Sequence, residues 1–227
     1  MTLHFLRELD QLYLHLTEIG NMIEAQVDLA FKAVITLDEA TARRVIKGDD
    51  EIDDVEIRLE EECLKLLALY QPVAGDLRLI IAILKINNDL ERIGDHAKNL
   101  AETAIKLSSH SSPIEFPENL ARIFKQVKLM LRKTLLAFIE QDQKLAQTVL
   151  EMDDQVDEMC AAELPRQIQL IKDNPELAGD RLMLLSVCRQ LERIGDHASN
   201  IAEDVVYLLS GDIIRHYSSE DITKLSS

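Results

Sequence analysis

The sequence predicts an all-α protein, built as two tandem antiparallel three-helix bundles that are related by an internal repeat. Hydrophobic residues make up 47% of the 227 residues, whereas glycine (7), proline (5) and aromatic residues (4%) are scarce, and this composition favours long helices over strands. Sparse breaks divide each half of the chain into three helical segments. One thirteen-residue segment recurs almost unchanged in the second half, so we expect the two halves to share one architecture.

The helix boundaries are predicted from these breaks. Gln71-Pro72, Ser108–Pro117 and Asn174-Pro175 end long helical stretches, because proline interrupts a helix. Asp38 precedes another stretch, and aspartate is a preferred N-cap residue. The six predicted helices are residues 3–36, 39–70, 74–108, 118–140, 142–172 and 176–209.

The internal repeat defines the predicted domains. LERIGDHAKNLAE (Leu90–Glu102) and LERIGDHASNIAE (Leu191–Glu203) are identical at eleven of thirteen positions, at an offset of 101 residues. DDEID (Asp49–Asp53) and DDQVD (Asp153–Asp157) form a second matched pair, at an offset of 104. The predicted divisions are a first three-helix repeat at 1–109, a second at 118–210 and a C-terminal tail at 211–227.

Charge and hydropathy exclude several classes of partner. The formal net charge of −16 would repel a phosphate backbone, so we expect no nucleic-acid partner. An acidic excess fits a cation or a basic protein patch, and it also fits plain solubility. The longest apolar run, Leu79–Leu84, is too short to cross a bilayer, so we expect no direct membrane insertion.

The cysteines and the N-terminus indicate a cytoplasmic protein. Cys63 and Cys160 fall on apolar helix faces and Cys188 lies in an apolar segment, so we predict three buried, reduced thiols. The N-terminus has no basic region followed by an apolar stretch, so we expect no signal peptide.

The repeated segment places carboxylates on one flank of a helix. On a helical wheel Glu91 and Asp95 lie on one flank beside the apolar core stripe, with Gly94 between the two stripes. Asp49 and Asp53 line the corresponding flank of the second helix. The matching residues of the second half are Asp153, Asp157, Glu192 and Asp196.

These carboxylates predict metal sites between facing helices. Like charges at i,i+4 repel, and a cation bound between two such pairs would remove that cost. Four carboxylates supply the oxygen ligands that Mg²⁺, Mn²⁺, Ca²⁺ or iron prefer, and we expect a divalent or iron-type ion, with iron, manganese, magnesium and zinc as candidates. The alternative is that Glu91 and Asp95 pair with Arg92, Lys98 or Arg58 at the surface.

Four polar residues of the two repeated segments are candidates for additional ligands. His96 and His197 lie about 100° from their carboxylates on the wheel, so an interface role is favoured. Asn99 and Asn200 lie beside the acidic flank, where their side chains could assist ligation.

An enzyme is the less favoured class. Di-iron oxidases built on helical bundles need Glu-x-x-His pairs, and the sequence has none. It also lacks a P-loop, an H-E-x-x-H segment and a G-x-S-x-G segment. We therefore expect no enzymatic activity. A metal-free helical scaffold or adaptor is the first alternative, and a carboxylate-bridged metalloenzyme is less favoured.

The two repeated segments, together with LYQPVAGDLR (Leu69–Arg78), resemble the PhoU family of phosphate-transport accessory proteins. The resemblance covers nearly the whole chain and implies two three-helix bundles with metal clusters at E/D-x-x-x-D pairs. Carried over by position, one site joins Asp49, Asp53, Glu91 and Asp95, and the other joins Asp153, Asp157, Glu192 and Asp196.

The resemblance also implies a function. It implies a cytoplasmic homodimer that negatively regulates phosphate uptake and phosphate-starvation (Pho regulon) signalling through protein contacts. The implied partners are the ATPase subunit of the phosphate ABC transporter and a phosphate-sensing membrane histidine kinase. The second half departs from the pattern at Pro165 and in the segment NPELAGDR, which begins at Asn174.

Overall fold

The chain folds as two three-helix bundles, as the sequence predicted. The computed structural model describes residues 3–109 and 116–211, and no strand occurs in these two ranges. The first bundle packs α1, α2 and α3 together, and the second packs α4, α5 and α6. The helices are α1 Leu3–Thr36, α2 Glu39–Tyr70, α3 Ala74–Ser108, α4 Glu118–Glu140, α5 Gln143–Asp173 and α6 Ala178–Ser210.

The predicted helix bounds agree with the structure for α1 to α4 and shift slightly for α5 and α6. A 3₁₀-helix, Pro175–Leu177, follows α5, so α6 begins two residues later than predicted. α5 continues as an α-helix through Pro165. Of the predicted tail, only Gly211 lies within the described residues; its left-handed backbone (φ 82°) ends α6.

Both halves use the same turn between their first two helices. Leu37 (φ 50°) and Gln141 (φ 53°) adopt the left-handed conformation that ends a helix. The next residues, Asp38 and Asp142, each accept hydrogen bonds from two backbone N–H groups of the following helix. The two aspartates are 104 residues apart, the offset that also relates Asp49 to Asp153.

Each helix buries one face and exposes the other. On α3 the predicted core stripe is fully buried, whereas Asp50 and Asp54 on the outer face of α2 are exposed. None of the described helices is both long and apolar enough to span a membrane. The buried stripe of α3 consists of Leu90, Ile93, Ala97, Leu100 and Ala101.

The two bundles pack side by side, with α3 against α6 and α1 against α4. Between α1 and α4, the rings of Phe31 and Phe124 stack with their centroids 3.5 Å apart. Tyr13 stacks on Phe138 at 4.8 Å. The α3–α6 contact places the repeated segments of these two helices next to each other.

The three cysteines are buried and form no disulfide, as predicted. Burial, with a smaller contribution from Glu62 and Glu60, raises the pKa of Cys63 to about 12. The Cys160 thiol donates a long hydrogen bond to the carbonyl oxygen of Cys188, with a sulfur–oxygen distance of 3.9 Å.

Candidate metal centre

The second bundle brings three carboxylates together across the α5–α6 seam. Asp153 and Asp157 lie one turn apart on α5, and Asp196 faces them from α6. One carboxylate oxygen from each lies within 4.8 Å of the others. In the described part of the chain, this is the one group of three or more Asp, Glu, His or Cys side chains that converges so closely.

Asp153 is the most constrained member of this group. Its Oδ1 atom is buried and has no hydrogen-bond partner. Burial raises the pKa of Asp153 to about 7; a hydrogen bond from Ser199 opposes this rise, and repulsion from Asp157 and Asp196 adds to it. The site therefore holds a carboxylate whose negative charge the protein does not balance.

Two further acids near Asp153 also have raised pKa values. Burial, followed by repulsion from Asp196 and Asp154, raises the pKa of Asp157. Burial, followed by repulsion from Asp196 and Asp157, raises the pKa of Glu192. Glu192 thus lies near the group without belonging to its closest set of oxygens.

The seam is open to ions from one side. A groove of about 780 Å³ between α5 and α6 is lined by Glu192 and Asp196, by Arg189, and by leucines that include Leu164 and Leu182. Gly195 precedes Asp196 on α6, and a Cβ atom built on it would meet Asp153 Oδ1 at 3.6 Å. The glycine allows α6 to approach Asp153 at van der Waals distance.

The donor set fits a hard cation. All three convergent side chains offer oxygen ligands, and Asp153 Oδ1 is a buried acceptor that no protein donor satisfies. Asp153, Asp157 and Asp196 could hold such an ion, with Glu192 adjacent. When bound, it would neutralise the repulsion between α5 and α6.

The first bundle arranges its matching carboxylates differently. Asp49 is 2% exposed, and both of its oxygens have donors. Lys98 Nζ donates to Oδ2 at 2.6 Å, and Gln26 Nε2 donates to Oδ1 at 3.1 Å. Asp49 therefore has its counter-charge within the protein.

The other three acids of the first seam lie nearer the surface. Asp53 is exposed, and burial followed by repulsion from Asp49 raises its pKa. Burial and then repulsion from Asp95 raise the pKa of Glu91. Arg92 contacts both Glu91 (3.2 Å) and Asp95 (3.3 Å), as the surface-pair alternative anticipated.

Both halves match one known domain. The PhoU domain family model matches residues 16–104 and 120–205, one match in each bundle.

The chain belongs to the PhoU family.

Relatives of known name match this chain over nearly its full length. The Pseudomonas aeruginosa protein named phosphate-specific transport system accessory protein PhoU homolog is 40% identical over 213 residues, which cover 93% of this chain and 88% of that protein. The Thermotoga maritima protein named PhoU homolog 1 is 33% identical over 214 residues, covering 94% of this chain and 92% of its own.

The same fold occurs in solved PhoU structures. The crystal structure of PhoU from Pseudomonas aeruginosa superposes with a TM-score of 0.89 at 39% identity, covering 92% of this chain and all of that chain (100%). The crystal structure of the phosphate transport system regulatory protein PhoU from Streptococcus pneumoniae superposes with a TM-score of 0.85 at 30% identity. The match covers 92% of this chain and 98% of that chain.

In this PhoU-family chain the repeated histidines lie between the bundles, and neither belongs to the convergent group of Asp153, Asp157 and Asp196. The rings of His96 and His197 stack with their centroids 5.4 Å apart. His96 Nδ1 lies 2.8 Å from Gln190 Oε1, and His197 Nδ1 lies 2.8 Å from Asp89 Oδ1. The expected interface role of both histidines is therefore confirmed.

The repeated asparagines belong to the same interface. Asn200 Nδ2 donates to Asp89 Oδ1 at 3.3 Å, and Asn99 Nδ2 donates to Gln190 Oε1 at 3.5 Å. Both amides are thus bonded across the α3–α6 contact.

Sequence reasoning treated Lys98 as a surface pair partner and missed its bond to Asp49. The signal was present in the repeat, because Lys98 corresponds to Ser199 and this is its only change of chemical type. The other change, Leu100 to Ile201, is conservative. Gln26 carried no such signal, since α1 has no repeated motif from which to align it.

Proposed function

We propose that this chain is an accessory regulator that restrains phosphate import and phosphate-starvation signalling. The observation that carries the proposal is the PhoU domain match in both bundles, together with relatives named for the phosphate-specific transport system. The relatives' names supply the process, and the identity over most of the chain supports its transfer to this protein.

The proposed mode of action is protein contact. The chain acts as a cytoplasmic homodimer, and its partners are the ATPase subunit of the phosphate ABC transporter and a phosphate-sensing membrane histidine kinase. A net charge of −16 suits a basic partner surface and opposes binding to DNA. The proposal assigns no catalytic residue, since the sequence has no Glu-x-x-His pair or nucleophile motif.

The metal part of the proposal rests on the second bundle. Asp153, Asp157 and Asp196, with Glu192 beside them, bind a hard divalent or iron-type ion that ties α5 to α6. The support is the convergence of three oxygens within 4.8 Å and the unpartnered Oδ1 atom of Asp153. The metal-free scaffold remains the second candidate, and the Lys98–Asp49 pair favours it for the first bundle.

A deletion strain tests the regulatory role. Removing the gene should raise expression of a phosphate-starvation reporter in phosphate-rich medium, and a plasmid copy should restore repression. Purified chain should also bind the ATPase subunit and the kinase in a pull-down. Unchanged reporter expression and unchanged phosphate uptake after deletion would overturn the proposal.

Metal analysis tests the second-half site. The protein is loaded with Mn²⁺, dialysed and measured by elemental analysis. Asp153→Asn with Asp157→Asn should lose the Mn²⁺ that the wild type retains, and its melting temperature should no longer rise with Mn²⁺. A ligand at a hundredfold excess over its dissociation constant stabilises by about 2.7 kcal/mol.

The control variant carries the same charge change on the same helix. Asp154→Asn with Glu158→Gln alters two exposed acids of α5 and should keep the Mn²⁺. Equal metal content in both variants and the wild type would contradict the assignment of the site.

A further inference from the structure

The two acidic seams lie in matching domains and differ in their buried donors. In the first bundle, Asp49 accepts from the ammonium of Lys98 and from the amide of Gln26, and its side chain is 3% exposed. In the second bundle, Asp153 has only the neutral Ser199 hydroxyl beside it, which lowers its pKa, and its Oδ1 has no partner. The first carboxylate is balanced within the protein, whereas the second is not.

Matched positions account for this difference. Lys98 and Ser199 are related by the offset of 101 that relates the two LERIGDHA segments. Gln26 and Met130 are related by the offset of 104 that relates Asp38 to Asp142 and Asp49 to Asp153.

The surroundings of the repeated glycines agree with this alignment. Gln26 Oε1 lies 3.3 Å from a Cβ built on Gly94, and Met130 Cε lies 3.8 Å from one built on Gly195. Both donors of the first seam are therefore replaced in the second, one by an apolar side chain and one by a hydroxyl.

We propose that Lys98 is a built-in cation that takes the place of a metal ion in the first bundle, so that this chain binds metal only at the second seam. The inference rests on the proposed function for its second half, the metal at Asp153, Asp157 and Asp196. It departs from the prediction that Asp49, Asp53, Glu91 and Asp95 form a metal site.

Charge and access support the assignment to Lys98. A metal ion entering the first seam would displace the ammonium from a buried carboxylate and would then lie beside a second positive charge. The repeated arginines do not distinguish the two seams, since Arg92 contacts Asp95 at 3.3 Å and Arg193 contacts Asp196 at 3.1 Å. In the second bundle Ser199 brings no charge, so the same position leaves room for an external cation.

The test exchanges the two residues and measures bound Mn²⁺ by elemental analysis after loading and dialysis. The background is the full chain with Asp153→Asn and Asp157→Asn, which removes the second seam. This background should carry no more Mn²⁺ than chelator-treated protein. Adding Lys98→Ser should restore Mn²⁺, and adding Gln26→Met as well should restore at least as much.

The reverse exchange is made in the otherwise unaltered chain. Ser199→Lys should reduce bound Mn²⁺ to the level of chelator-treated protein, because it supplies the ammonium that the second seam lacks. Lys98→Gln, which retains a hydrogen-bond donor to Asp49, provides a second neutral variant in case Lys98→Ser does not fold. Circular dichroism melting checks that each variant is folded.

The outcomes separate this inference from the proposed function. Mn²⁺ retained by the background with Lys98 intact would overturn the inference, as would no gain with either neutral variant or full retention in Ser199→Lys. If the unaltered chain holds no Mn²⁺ but the background with Lys98→Ser does, the second-half site is refuted and the role of Lys98 stands.

Discussion

At the residue scale, the buried Asp49 and the half-buried Asp153 occupy equivalent positions but differ in their hydrogen-bond partners. Asp49 has donors for both oxygens, whereas Asp153 Oδ1 has none, although each lies beside a repeated glycine. A buried carboxylate without a counter-charge favours its protonated form. The metal-free protein therefore stores an electrostatic cost at Asp153 that it does not store at Asp49.

This cost predicts that Asp153→Asn changes the stability of the chelator-treated protein by an amount that depends on pH. The folded pKa of about 7 lies above the ordinary value of 3.8, so the folded state holds this proton more tightly than the unfolded state. The contribution of Asp153 to the free energy of unfolding is fully present below pH ~4 and is lost as pH rises to ~7. Asp153→Asn has no titrating group at this position, so its free energy of unfolding does not fall in this way as pH rises.

Thermal denaturation checks the sign. The melting temperature of Asp153→Asn relative to wild type should increase between pH ~4 and ~7 and then level off. Asp54→Asn, an exposed change on α2, serves as the control and should show no such trend. A difference that is constant over this pH range would contradict the burial of an unbalanced charge at Asp153.

At the element scale, the repeated glycines set how closely the third helix of each bundle approaches its neighbours. A Cβ on Gly94 would meet Ile23 Cδ1 at 3.0 Å, and Ile23 is fully buried, so the clash has little room to relax. The nearest atoms to a Cβ on Gly195 are 3.6 Å away, which is ordinary contact.

The same glycine-to-alanine change should therefore have opposite effects in the two bundles. Gly195→Ala should stabilise by up to ~1 kcal/mol, because alanine favours the helix. Gly94→Ala should destabilise by ~1 kcal/mol, since overpacking costs ~1–3 kcal/mol and exceeds that gain. Urea unfolding of both variants measures this, and equal shifts would show that the first bundle is not packed more tightly here.

Local signals predicted the helices, because proline breaks and the capping residue Asp38 act within a few residues of the chain. The start of α6 was misplaced, since Pro175 begins a 3₁₀ turn before the α-helix and the sequence pattern does not distinguish the two. The acidic flanks were also predicted, because a helical wheel needs only residue spacing. Which donors reach each carboxylate depends on packing between helices, and spacing within one helix carries no information on Gln26.

At the scale of the whole molecule, the two bundles are joined by polar contacts as well as apolar ones. Lys85 on α3 pairs with Asp204 on α6, whose side chain is 3% exposed, and the ammonium lies 5.2 Å from the centre of the Tyr207 ring. The histidine stack lies in the same interface. The interface position of the histidines was predicted, but the Lys85–Asp204 pair was not, because no sequence signal indicated which residues meet where the two bundles dock.

Lys85→Ala should destabilise the molecule by about 1–3 kcal/mol, because it removes a charged partner from a buried carboxylate. The matched control is Lys125→Ala, an exposed lysine on α4, which should change stability by less than about 0.5 kcal/mol. Chemical denaturation measures both. Equal effects of the two substitutions would show that the Lys85–Asp204 pair does not stabilise the contact between the bundles.

The central claim is that two bundles of one fold balance the same buried charge differently, one with Lys98 and the other with a metal ion. Anomalous X-ray diffraction at the manganese edge, from crystals of the full chain grown with Mn²⁺, tests it most directly. We expect an anomalous peak at the seam of Asp153, Asp157 and Asp196 and none beside Asp49. A peak beside Asp49, or no peak at the second seam, would contradict the account.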